Sequence, residues 1–300
     1  MKRRRTALAA ALFAAAAGLA ATQSAQPATA HPARTPAPNA PHRGTVAGAR
    51  TPGHDPARDR AVAALKKGRD ASFRRNQAEP THNWWGVFPQ PGTHDGITAT
   101  HTVDPSYRVS DADNFTYAPT TKAQNSCMEV VTAYWNSGNE IWAWDWCGAG
   151  GPARTVAVDA DFKAKYTQPA GGELAYSVQL VRDSGSANSW SSYLYNYRSA
   201  RWELLYRQSG RDQSGLDHGW DMFEIYASVN PSTGVGYYCT EARDTVFDSR
   251  AIELRHNGVW KPASGSDSPW TDQNPSGQDF LCPSLNFVQA SADDHWTVRQ

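Results

Sequence analysis

The chain has 300 residues, 11% of them aromatic, and its 29 basic and 29 acidic side chains cancel. The zero total conceals a division: up to Thr81 there are 14 Lys+Arg and 4 Asp+Glu, net +10, and from His82 onward the remaining 15 and 25 give −10. A folded region of that sign repels phosphate, which excludes nucleic acid as a partner, and no apolar run beyond the first residues nears the ~20 that a membrane-spanning helix needs.

In chain order, Met1 to Ala30 reads as a signal peptide. Lys2, Arg3, Arg4 and Arg5 form a basic start, Thr6 to Ala21 is uncharged and alanine-rich, and Ala28-Thr29-Ala30 is a small-x-small cleavage signature. The protein is therefore expected to be secreted and extracellular, by the general route or by the twin-arginine one, with no membrane span after the signal is removed. Residues 31–81 contain no Trp or Tyr, and their 10 basic and 4 acidic residues leave +6. Their Pro-, Ala- and Gly-rich composition predicts a disordered basic arm with a short helix within Ala57–Gln77. Such an arm is a solvated spacer, a removable pro-segment or a tether to anionic cell-wall polymer.

Residues 82–300 hold all 12 Trp and all 12 Tyr, and their length supports one sizeable core. Short runs rich in β-branched and aromatic residues, separated by Gly-, Ser-, Asn- and Asp-rich turns, predict strands over 97–103, 155–161, 174–182, 190–197, 201–207, 220–227, 235–241, 251–256 and 284–290. This pattern predicts an all-β antiparallel β-sandwich or jelly roll.

The centre of that region is SCMEVVTAYWNSGNEIWAWDWCG, Ser126 to Gly148, which reads as a hairpin. A three-residue loop Asn136-Ser137-Gly138 pairs positions whose numbers sum to 274, and Cys127 with Cys147 obeys the same sum. An even cysteine count in an exported chain argues for disulfides, with zinc the alternative that no CxxC pair supports; the register pairs Cys127–Cys147 and leaves Cys239–Cys282. This register puts Trp142, Trp144 and Trp146 on one face with Met128, Val130, Thr132 and Tyr134, and sets Glu129 opposite Asp145 on the other. The tryptophan row is either core or an aromatic platform for sugar rings. Glu129 and Asp145 are either a carboxylate pair that could hold one proton between them or two solvated acids.

Chemistry-bearing motifs are sparse: the chain has no GxSxG elbow, no HExxH helix and no phosphate-cradling glycine loop. His94 and His101 read as solvated or hydrogen-bonded rather than metal-bound, and no metal centre is expected from them. Asp111 and Asp113 in SDADNF are candidate calcium ligands through oxygen. In GWDMFEIYA, Asp221-Met222-Phe223-Glu224 resembles part of the catalytic strand Glu-x-Asp-x-x-Glu of laminarinase-type glycoside hydrolases of the concanavalin-like fold. The resemblance implies that fold, with Asp221 as assisting acid and Glu224 as acid/base. The position of the nucleophile is Gly219, so the second carboxyl of a retaining mechanism is missing.

Three functions follow from these residues. The foremost is a non-catalytic carbohydrate-binding module for an extracellular glycan or cell-wall polymer, with Trp142, Trp144, Trp146, Glu129 and Asp145 as its site. The alternatives are a secreted glycan-active hydrolase using Glu224, and an extracellular structural or protein-interaction module.

Overall fold

The computed structural model describes residues 35–72, 81–92, 94–148, 151–184, 189–209, 218–268, 275–291 and 293–300. The signal-peptide segment Met1–Ala30 lies outside the described residues. The chain opens with β1 (His42–Thr45) and α1 (Pro56–Ser72), then runs through β2 (Thr81–Val87), β3 (Gly96–Thr102), β4 (Phe115–Lys122), β5 (Met128–Trp135), β6 (Gly138–Asp145) and β7 (Pro152–Ala157). After α2 (Ala160–Tyr166) come β8 (Thr167–Ala170), β9 (Glu173–Arg182), β10 (Ser189–Asn196), β11 (Arg201–Ser209) and β12 (Trp220–Ala227). A short helix α3 (Tyr238–Glu241) precedes β13 (Phe247–His256), β14 (Val259–Pro262), β15 (Asn286–Ser291) and β16 (His295–Arg299).

The strands form two sheets. The larger follows β1-β11-β10-β9-β3-β13-β16-β15, with β14 beside β13 and β8 beside β9, and the smaller follows β2-β12-β4-β5-β6-β7. Every pairing is antiparallel except β1 with β11. The result is an all-β sandwich, as the strand pattern predicts. Alternate residues build the core between the sheets: Met128, Val130 and Tyr134 on β5, Ile141 and Ala143 on β6, and Phe223 and Ile225 on β12 meet Ile97, Val178, Leu180, Leu254 and Trp296.

Both expected disulfides are present, Cys127–Cys147 and Cys239–Cys282, yet the hairpin register differs by one residue. Met128 faces Asp145 and Trp135 faces Gly138, so paired numbers sum to 273. The turn has two residues, Asn136 and Ser137, and Gly138 already belongs to β6. The glycine is required by packing: a Cβ there would meet the Trp135 ring at 2.8 Å. Cys147 reaches Cys127 because the chain turns after β6, where the Cys147 N–H donates to Asp145 Oδ1 at 3.0 Å and the Gly148 N–H to the Asp145 carbonyl at 3.1 Å. Since side chains alternate, the slip moves the tryptophans to the face shared with Glu129, Val131 and Ala133.

Two further expectations are corrected. The strand predicted over 235–241 is a turn followed by α3; Tyr238 sends its hydroxyl to the Phe280 carbonyl at 2.6 Å, and the local bonds are helical, Cys239 N–H to Gly236 carbonyl at 3.0 Å. The arm is also ordered in its described part. A segment too poor in apolar residues to make a core borrows existing sheet edges instead. Thus β1 adds in parallel to β11, Val46 N–H donates to the Leu204 carbonyl at 2.9 Å, and Arg50 exchanges backbone bonds of 3.0 and 2.9 Å with Thr155 beside β6. The predicted short helix is α1, its first turn capped by Asp55, whose Oδ1 accepts from the Ala57 and Arg58 N–H groups.

Candidate functional site

The outer face of the smaller sheet carries a second, aromatic cluster. Phe115 and Tyr117 from β4, Val131, Ala133 and Trp135 from β5, Trp142 and Trp144 from β6 and Tyr226 from β12 pack against Ala61, Ala64 and Leu65 of α1. The helix is pinned by polar contacts as well: the Tyr117 hydroxyl donates to the Ala61 carbonyl at 2.7 Å. The tryptophan row is consequently covered. Trp142 is 0% and Trp144 is 1% exposed. The rings are not coplanar either, being inclined by 37° and 38° along the row Trp142, Trp144, Trp146.

At the end of that row stands Glu129, wholly buried. Its Oε1 accepts from the Thr120 hydroxyl and from the Trp220 indole N–H at 2.8 Å, and its Oε2 accepts from the Trp146 indole N–H at 2.9 Å. Lys122 lies beside them, its ammonium 5.0 Å from the centre of the Trp220 ring and donating to the His218 carbonyl at 2.5 Å. Strands β12, β4, β5 and β6 are consecutive in the sheet, so Trp220, Thr120, Glu129 and Trp146 meet by register: Trp220 faces Lys122, Lys122 faces Glu129, and Glu129 faces Trp144. A carboxylate fixed at both oxygens by side-chain donors is oriented for proton transfer.

The other expected acids separate. Asp145 does not pair with Glu129: one residue of register places it toward the larger sheet, where its Oδ2 accepts from the Tyr206 hydroxyl at 3.0 Å. Asp221 and Glu224 also point to opposite sides of β12. Asp221 belongs to the interior, accepting from Trp296 Nε1 at 2.8 Å and from Thr121, with His101 Nε2 at 2.9 Å. His101 continues to the Tyr176 hydroxyl at 3.2 Å, and that hydroxyl meets Thr132 at 2.7 Å. Glu224 instead bonds the His82 ring on the outer side. The paired acids implied by the laminarinase resemblance are thus not assembled on this strand.

Of the calcium candidates, Asp111 closes a turn: its Oδ1 accepts from the Asp113 N–H at 2.8 Å and the Asn114 amide at 2.6 Å. Among the described residues the only close group of potential metal ligands is Cys127, Asp145 and Cys147, and both sulfurs are committed to the disulfide. His94 is buried; desolvation first, then the positive charge at His256 and Lys122, pushes its pKa down to about 3. It is therefore a neutral acceptor for the Gln124 N–H at 3.3 Å.

No family model and no curated protein matches the chain. Among solved structures it is similar to scytalido-glutamic peptidase with a transition state analog inhibitor, at 12% identity and TM-score 0.45, over 72% of this chain and 97% of that one. It is also similar to SCP-B, a member of the eqolisin family of peptidases, in complex with the tripeptide Ala-Ile-His, at 14% identity and TM-score 0.42 over the same shares. These neighbours are peptidases, neither carbohydrate-binding proteins nor laminarinases. The expectation of a non-catalytic carbohydrate-binding module with a glycan partner is overturned by the burial of its platform, since Trp142 and Trp144 lie covered in one cluster with α1.

The sequence missed Thr120, Lys122 and Trp220 as neighbours of Glu129, because β4 went unread. Its signal was present in FTYAPTTK, but Pro119 counts against a strand; the register shifts between Tyr117 and Thr120, where that proline sits. Among the described residues no helix is long and apolar enough to cross a membrane.

Proposed function

We propose that this chain is the covered precursor of an exported hydrolase that acts on polypeptide, with Glu129 as its acid/base carboxyl. The observation that carries this reading is the arrangement on the outer face of the smaller sheet: a wholly buried, doubly oriented carboxylate adjoins an aromatic surface on which the chain lays its own polypeptide, α1. A face that holds one polypeptide segment through apolar contacts and a carbonyl bond, Tyr117 to Ala61, has the recognition groups to hold another.

In the uncovered state Glu129 takes a proton from a water molecule, and the water oxygen adds to the carbonyl carbon of a peptide bond. The carboxyl then returns the proton to the nitrogen, and the C–N bond breaks, so that one water is consumed and the carboxylate is regenerated. Thr120, Trp146 and Trp220 hold the carboxylate in place during both transfers. The two disulfides and the basic, alanine-rich start support an extracellular site of action.

The test compares the intact protein with protein cut between Ser72 and Thr81, on denatured polypeptide and on polysaccharide substrates. Cutting should release hydrolysis of polypeptide, and Glu129→Gln should lower it by about 10²–10⁴-fold. Hydrolysis of polysaccharide alone, or a rate indifferent to Glu129→Gln, would refute the reading.

A further inference from the structure

Glu140 lies on the same outer face, at the opposite end of the tryptophan row from Glu129. It is almost fully buried, and the Trp142 indole N–H fixes its Oε2 at 2.9 Å. Its Oε1 faces two guanidinium groups. Arg50 donates to it at 3.2 Å from the rim, its side chain 57% exposed. Arg58 lies 3.6 Å away and is itself buried, its side chain 6% exposed, with a further bond to the Gly53 carbonyl. Both cations come from the N-terminal segment, Arg58 from the first turns of α1.

We infer that Glu140 and Trp142 form a guanidinium-binding subsite, filled in this structure by Arg58, which takes an arginine side chain of the polypeptide ligand once the N-terminal segment is displaced. The inference rests on the polypeptide-directed reading above and names the chemistry of the ligand. The carboxylate is pre-oriented by an indole on a face that also holds polypeptide, and planar guanidinium pairs with carboxylate better than an ammonium does. Once Arg50 and Arg58 leave, the aromatic face retains an anion within a region of net charge −10 (15 basic against 25 acidic residues from His82 onward). Such a field draws a cationic chain toward the face. Arg58 thus occupies the place of a ligand side chain and marks where it sits.

The first arm of the test uses the full chain carrying Arg58→Ala. The thermal midpoint lost by the substitution should be at least half restored by millimolar N-acetyl-arginine amide. N-acetyl-citrulline amide, which is uncharged, should restore nothing, and Glu140→Gln added to Arg58→Ala should abolish the rescue. The second arm uses wild-type protein cut between Ser72 and Thr81, with peptide substrates differing only by arginine or citrulline. The arginine form should be preferred by about tenfold or more, and the preference should collapse in Glu140→Gln. Trp142→Phe, which keeps an aromatic ring but removes the N–H, should reduce it. Equal rescue by citrulline amide, or equal use of the two substrates, overturns the subsite. If rescue is arginine-specific and no peptide is cut, the subsite stands and the hydrolase reading fails.

Discussion

Trp144→Ala separates a structural indole from an exposed platform. The Trp144 side chain is 1% exposed and lies between Trp142, with ring centres 6.1 Å apart, and Trp146, at 4.9 Å, under the α1 residues Ala61, Ala64 and Leu65. Removing the indole opens a cavity that two rigid sheet neighbours and a helix cannot collapse fully into, so the loss should be about 3–5 kcal/mol. For a domain of this size each kcal/mol moves the midpoint by roughly 2–4 °C, which gives a drop of about 6–20 °C. Trp84 is the matched control, since it is 42% exposed; Trp84→Ala should stay within about 0.5 kcal/mol. Calorimetry and urea unfolding of both variants read the difference. A Trp144→Ala loss below about 1 kcal/mol would refute the covered-face reasoning and with it the seat assigned to α1.

Loss of the Cys239–Cys282 bridge, which spans 43 residues, should cost about 4 kcal/mol, against about 3.3 kcal/mol for the 20-residue Cys127–Cys147 loop; urea unfolding of the two Cys→Ala pairs checks the order. Acidification should weaken the fold through His94. Below about pH 6.5 the unfolded chain binds a proton there that the folded one refuses until about pH 3, so stability falls across that window, and His94→Gln should flatten the fall measured by urea unfolding between pH 7 and 4. Asp248 acts lower: burial alone would raise its carboxyl, but hydrogen bonds from His295, Arg250 and Thr297 outweigh this and hold it below its ordinary value. Its stabilisation is present above about pH 4 and is lost as pH falls further; Asp248→Asn should remove that last part of the acid limb.

The fold was legible where local chemistry and burial agree. Strand β12 lies over Trp220–Ala227 as its alternating pattern predicts, and both disulfides follow once Cys127 and Cys147 are set at the two ends of one hairpin, which leaves Cys239 to Cys282. The hairpin shows the limit. A cysteine pair just beyond the strand ends tolerates either register, because the turn at Asp145–Gly148 takes up one residue, so the agreement of two sums did not fix the pairing. The site suffered most from this slip: Glu129 was singled out, but set against Asp145 instead of beside Trp146 and Trp220. The covering of the face by α1 was not legible at all. Ala61, Ala64 and Leu65 make only a thin apolar stripe, and its partner surface exists only after the four strands β4, β5, β6 and β12 have aligned. The arm illustrates the same point, since a composition too polar for a core says nothing of a sheet edge that can accept its backbone.

Strand β1 pairs with β11 across a long stretch of chain, His42 beside Trp202 and Thr45 beside Leu204. A chain made from its N-terminus onward therefore presents β1 long before the edge it needs has been synthesised. The first strand made must wait for the eleventh before it can dock. Contacts so far apart in sequence slow folding, and they make the closing of the larger sheet's edge a late event. Until then the unpaired edge of β11 and the aromatic face beneath α1 are both open, which sets a period in the life of each molecule when aggregation competes with completion.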